Sequence, residues 1–230
     1  MNTTPRRVLT GHSQVRDLAC SSLRPEASSA ARGISVAVLF CDPKGNYAGL
    51  EGVELWDEKR DARLYAGPHP VVAHPPCARW CRMAYLVEVK GGKKRGEDDG
   101  CFASALASVR KWGGVLEHPA YSDAWVTFGL TEPVRGGGWH RGVCGGWVCH
   151  VEQSRYGHLA NKPTWLYAVG ATNLPRMRWG TGGKGTGVIA FAKFRDGRKE
   201  ITRKQRSATP AEFRDALLAI ARSARGTERR

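Results

Sequence analysis

Four short apolar runs, each closing on or near a residue with usable chemistry, constrain this chain more than any other feature. "ISVAVLFCDP" begins at Ile34, "VELWD" ends on Asp57, "PVVAHPPC" ends on Cys77 and "GGVLEHP" carries Glu117. Each is of strand length and unbroken rather than alternating, the pattern of a strand buried on both faces. Such sheets are mostly parallel, with helical crossovers covering them. Between the third and fourth runs, "CFASALASVRKW" sets Phe102, Leu106 and Val109 at helical spacing. "PTWLYAVG" reads as a fifth strand, and "GVIAFAKF" as another strand or an edge hairpin. In "SATPAEFRDALLAIARSAR", Thr209 is the expected N-cap and Pro210 the first helical residue, with Phe213, Leu217 and Ile220 on one face. Residues 91–100 read as a charged loop or lid, and the Gly- and Trp-rich residues 132–147 as an irregular surface loop. Strands alternating with helices make the expected class α/β.

In an open parallel sheet, sites form beyond the C-terminal ends of the strands. Asp57, Cys77 and Glu117 fall at three such ends. The expected organisation is a flexible basic arm over residues 1–32, a catalytic domain over 33–172, and a basic hairpin with a C-terminal helix over 173–230 that packs on the same domain.

Charge narrows the partner. The chain has 36 Lys and Arg against 21 Asp and Glu in 230 residues, a formal net charge of +15. That balance favours a polyanion, nucleic acid ahead of a membrane surface. Lys184, Arg195, Arg198, Lys199, Arg203, Lys204 and Arg206 crowd the C-terminal third beside Trp179. No run reaches the ~18 apolar residues of a membrane span, and residues 1–32 lack the apolar core of a secretory signal. An odd set of seven cysteines points to free thiols and a reducing compartment, the cytoplasm.

Cys77 has three readings: a nucleophile, a metal ligand or a packed small residue. For zinc, Cys77 and Cys81 would join Cys144, Cys149 and His150, but neither pair has the two-residue spacing of common zinc knuckles, and free thiols are favoured. "GTGGKGTG" at 180–187 lacks the strand–loop–helix context of a phosphate loop and reads as a flexible basic hairpin tip near DNA.

Pro75-Pro76-Cys77 resembles the Pro-Cys nucleophile motif of the DNA cytosine carbon-5 methyltransferases. "LEHP", with Glu117, resembles that family's Glu-Asn-Val motif, and "SRYGHLANKPTWLYAVG" at 154–170 its next block. "VELWD" is similar to the strand whose acidic end holds the cofactor ribose. The resemblance covers roughly residues 34–170 and is closer still to small phage-type relatives with "HPPC". It implies a trimmed Rossmann-like methyltransferase fold and S-adenosylmethionine as cofactor, with a folate-type donor as the alternative. It also implies DNA as substrate and a bacterial or phage-infected host cell as setting. Cys77 would add to carbon 6 of the pyrimidine, and Glu117 would hold or protonate ring N3. Arg79, Arg82 or Lys162 would lower the thiol pKa and bind the target phosphate. Trp80 would stack on a flipped base or fill space beside it. Phe40, Asp42, Lys44, Asp57 and Pro75 would form the cofactor site, and Trp80, Arg82, Lys184, Arg203 and Lys204 the nucleic-acid surface. The family's Phe-x-Gly-x-Gly loop is here Phe40-Cys41-Asp42-Pro43-Lys44, without either glycine, and His118 stands in place of Asn. About 60 residues follow the third block, so sequence selectivity would be low or would fall to the loops at 91–100 and 132–149. A catalytically inactive DNA-binding relative is the rival reading.

Overall fold

The computed structural model describes residues 35–81, 84–182, 185–189 and 197–226. Arg82, Lys184, Arg195 and the N-terminal arm fall outside them, as does most of the expected strand at 187–194.

The apolar runs form strands where expected: β1 at Val36–Leu39, β2 at Val53–Trp56, β3 at Val71–Ala73 and β4 at Gly114–Pro119. Two strands were not anticipated, β5 at His140–Arg141 and β6 at Trp147–Glu152. β7 spans Pro163–Val169. The sheet order is β2-β1-β3-β4-β7-β6-β5. β2, β1, β3 and β4 run parallel, whereas β7 is antiparallel to β4, β6 to β7 and β5 to β6. The molecule is therefore α/β with a mixed sheet, parallel over the half that carries the sequence signals.

β5 and β6 arise where glycine permits a tight reversal. Gly142 N–H bonds the Gly146 carbonyl at 3.3 Å, and Gly146 has φ 72° with β7 so close that a Cβ would strike the Ala168 carbonyl. The irregular loop expected over 132–147 is thus partly a hairpin. At the start of β4, Gly114 (φ 120°) lets the backbone approach β3, where any Cβ would collide with the Val71 carbonyl.

The helical crossovers are only partly present. β1 joins β2 through a loop, and β2 joins β3 with a single 3-10 turn at Ala62–Leu64. Between β3 and β4 lie α1, Ala84–Val89, and α2, Cys101–Trp112; α3 is Asp123–Thr127. α2 buries Phe102, Ala105, Leu106 and Val109 against Leu39, Ala73, Leu116 and Tyr167 on one face of the sheet. On the other face, the cover comes from the far end of the chain. A small pair of parallel strands, β8 at Gly187–Val188 and β9 at Lys199–Glu200, precedes α4, Arg203–Ser207, and α5, Ala211–Ser223. α5 packs Phe213, Leu217 and Ile220 against Val36, Val38, Val72, Val115 and Leu166. Each such side chain contributes roughly 1.5–3 kcal/mol of burial, so the C-terminal helix belongs to the same core. It begins one residue later than expected: Pro210, not Thr209, is the N-cap, and the Thr209 carbonyl accepts a bond from Asn46 Nδ2. No helix among the described residues is long and apolar enough to cross a membrane.

Candidate active site

β1 is flanked by β2 on one side and β3 on the other, so the connections leaving β1 and β3 diverge and open a crevice at the strands' C-terminal ends. Both sequence-derived groups meet there.

The Cys77 turn comes first. His74 follows β3 directly and still donates its N–H to the Leu39 carbonyl at 3.0 Å. After Pro75 and Pro76 the chain enters a helical turn, in which the Cys77 carbonyl accepts from Trp80 N–H (3.0 Å) and Cys81 N–H (2.9 Å). Cys77 is half-buried at the head of this turn. Burial pushes its thiol pKa up, as do the neighbouring Cys81 and Glu117, while Lys162 opposes them. The resting thiol is therefore protonated, and Lys162 is the cation poised to favour its ionisation.

Glu117 is buried in β4, with 7% of its surface exposed. Its two oxygens accept from different elements: Oε1 from Gln153 Nε2 at 2.8 Å, and Oε2 from His74 Nδ1 at 2.9 Å. Tyr47, in the β1–β2 loop, places its hydroxyl 2.9 Å from His74 Nε2. On the other side, Gln153 Nε2 donates to Thr164 Oγ1 (3.0 Å), which donates to the Lys162 carbonyl (3.0 Å). Burial pushes the Glu117 carboxyl up, but the charge of Lys162 and the His74 hydrogen bond outweigh it and hold the pKa down at about 2. Glu117 is an anion with both oxygens clamped. His118, the next residue of β4, points to the opposite face, edge-on to Phe102 at 5.1 Å and stacked on Trp125 at 6.5 Å. Burial pushes its pKa down to about 4, so it is neutral near pH 7. The Pro76 carbonyl lies near enough to favour its charged form, but neither ring nitrogen reaches hydrogen-bond geometry.

A cleft of about 540 Å³ adjoins, beyond the ends of β1 and β2 and bounded by Pro76 and by Cys101 at the start of α2. Phe40, Asp42 and Asp57 line it as expected. Pro75 does not: it is buried, and Pro76 takes its place on the wall. Lys44 is exposed and off the lining, its backbone N–H bonding Asp42 Oδ1 at 2.9 Å. Phe40 has φ 59°, a left-handed conformation unusual for a bulky residue, and its N–H bonds the Trp56 carbonyl at 2.8 Å. Glu58, Asp61 and Asp99 also line the cleft; among the described lining residues the one cation is Arg63, held by Asp61 at 2.8 Å, and Lys93 pairs with Asp99 at 3.1 Å. The cleft is strongly acidic.

Other expected residues fall elsewhere. Trp80 is a core residue rather than a stacking surface: it is 6% exposed, its Nε1 donates to Asp98 Oδ2 at 2.8 Å, and Phe102 and Phe128 pack on it. Arg79 reaches away to the Lys93 carbonyl at 3.3 Å. Arg203 and Lys204 are exposed on α4. α4 meets the site's edge through its Gln205 and Arg206 backbone, which lies within reach of the His158 ring, four residues before Lys162. The zinc alternative does not assemble: among the described residues no cluster of three or more metal-ligating side chains forms. Cys149 is buried among apolar residues, while Cys144 is exposed and bonded to the Gly129 carbonyl. His74, Tyr47 and Gln153 were given no role by sequence reasoning, although His74 stands within the "HPPC" motif itself.

Comparison with protein-family models, curated proteins and solved structures finds no match.

Proposed function

We propose that the chain is a DNA-modifying transferase acting at carbon 5 of a pyrimidine, a cytosine methyltransferase using Cys77 as nucleophile and S-adenosylmethionine as donor. The observation that carries this reading is the action of one lysine on both chemical groups: Lys162 opposes the burial of the Cys77 thiol and stabilises the Glu117 carboxylate. A thiolate able to add to carbon 6 and a carboxylate able to hold the other edge of the same ring are the two groups this chemistry needs. An ionised carboxylate only accepts hydrogen bonds, which suits the exocyclic amino group of cytosine.

The acidic cleft supports the choice of donor. Of the five carboxylates, Asp61 is paired with Arg63 and Asp99 with Lys93, and the other three, Asp42, Asp57 and Glu58, favour a ligand bearing a positive sulfonium and ribose hydroxyls. They disfavour a folate, whose own carboxylates would be repelled. Asp57, at the end of β2, is the residue that would hold the ribose hydroxyls. The net charge of +15 and the exposed Arg203 and Lys204 on the helix whose backbone reaches His158 support DNA as the polymer.

The test is mass spectrometry of nucleosides from DNA incubated with the protein and S-adenosylmethionine. The reading expects 5-methylcytosine with the wild type and none with Cys77→Ala. DNA bound but unmodified by the wild type would favour the inactive DNA-binding relative.

A further inference from the structure

We propose that His74 and Tyr47 are positioning residues for Glu117: the Tyr47 hydroxyl fixes the orientation and tautomer of the His74 ring, and the ring fixes the plane of the carboxylate. The catalytic consequence rests on the methyltransferase reading; the tautomer does not.

For a neutral ring the geometry allows one consistent assignment. Glu117 Oε1 accepts from Gln153 Nε2, and the other oxygen of the same carboxylate, Oε2, is likewise an acceptor, so His74 Nδ1, 2.9 Å away, carries the proton. In the neutral ring Nε2 is then a lone pair, and the Tyr47 hydroxyl at 2.9 Å is its donor. Tyr47 is only 4% exposed and its ring packs against the imidazole at 5.5 Å. Water therefore does not replace the phenol. With His74 on one oxygen and Gln153 on the other, rotation of the carboxylate breaks two charge-assisted hydrogen bonds at once. The remaining lone pairs point in fixed directions, as a group that must meet one ring edge requires. The three residues come from the β1–β2 loop, the end of β3 and the middle of β4, so the relay also locks the cofactor-side loop to the base-side carboxylate.

Two measurements decide this. In protein with ¹⁵N-labelled histidine, His74 is expected as a neutral ring protonated on Nδ1, and Tyr47→Phe is expected to shift it toward a mixture of tautomers. A wild-type ring protonated on Nε2, as the other tautomer or as the imidazolium, overturns the relay whatever the enzyme does. The second is the rate of covalent capture on 5-fluorocytosine DNA with S-adenosylmethionine, read beside DNA affinity. His74→Ala is expected to slow capture by about 100-fold with affinity within about twofold. His74→Asn, whose amide N–H replaces Nδ1–H, is expected to recover most of the loss. Equal capture rates in wild type, His74→Ala and Tyr47→Phe overturn the proposal, as does equal loss in His74→Ala and His74→Asn when both fold. Absence of capture by the wild type sinks the methyltransferase reading instead, and the tautomer measurement still decides the relay.

Discussion

His74 Nδ1 lies 2.9 Å from Glu117 Oε2, joining the residue before the Pro-Pro-Cys turn to the acidic residue of the neighbouring strand. Two sequence motifs 43 residues apart are thereby one structure. The Cys77 turn and the Glu117 strand cannot shift independently, because the hydrogen bond holds the end of β3 to β4.

Glu117 should make the fold acid-sensitive. Its pKa is depressed from 4.5 to about 2, so its contribution is complete above about pH 4.5 and is lost as pH falls toward 2. By linkage the shift corresponds to about 3 kcal/mol. Urea unfolding at stepped pH should show that loss in the wild type and a flatter profile in Glu117→Gln.

His118 acts in a higher window. Its pKa is lowered from 6.5 to about 4, so below pH 6.5 the unfolded chain takes up a proton that the folded one refuses. Stability should therefore fall as pH drops from 6.5 toward 4. His118→Leu should flatten that part of the curve while leaving the Glu117 window intact; an unchanged slope would show that His118 is not kept neutral by burial.

Lys162 should govern thiol reactivity. Replacing it with Met removes the cation that opposes burial at Cys77. A further rise of one pKa unit leaves about tenfold less thiolate. Alkylation of Cys77 by iodoacetamide, followed against pH, should shift upward in Lys162→Met and stay unchanged in Lys204→Met.

The acidic cleft predicts its own ligand preference. Calorimetry should detect S-adenosylmethionine binding, weakened by about 10- to 100-fold in Asp57→Ala through loss of a charge-assisted hydrogen bond. A folate should give no heat. Tighter folate binding than S-adenosylmethionine binding would reverse the donor assignment.

What the sequence revealed was what local patterns determine. Unbroken apolar runs located β1 to β4 and β7, and their polar residues located Asp57, Cys77 and Glu117, although Glu117 lies within β4 rather than at its end, because pairing with β7 carries the strand on to Pro119. It did not reveal the direction of β7, because an apolar run carries no sign of parallel or antiparallel pairing. β6 was hidden by the Gly- and Trp-rich hairpin before it and by His150 and Glu152, polar residues that interrupt its apolar run although the sheet buries both. Trp80 looked available beside two arginines, but Asp98, 18 residues away, draws its indole into the core. The relay was invisible for the same reason: Tyr47, His74 and Gln153 meet only when three separate connections converge. Histidine before two prolines gave the one available signal.

The central claim is that Cys77 is a nucleophile toward a pyrimidine held by Glu117, and covalent trapping addresses it most directly. DNA containing 5-fluorocytosine, incubated with the protein and S-adenosylmethionine, blocks release because fluorine at carbon 5 cannot leave as a proton does. The account predicts a denaturation-resistant protein–DNA adduct attached through Cys77, abolished in Cys77→Ser and reduced at least about 100-fold in Glu117→Gln. DNA that binds the folded wild-type protein with S-adenosylmethionine present, yet yields no adduct, would contradict it.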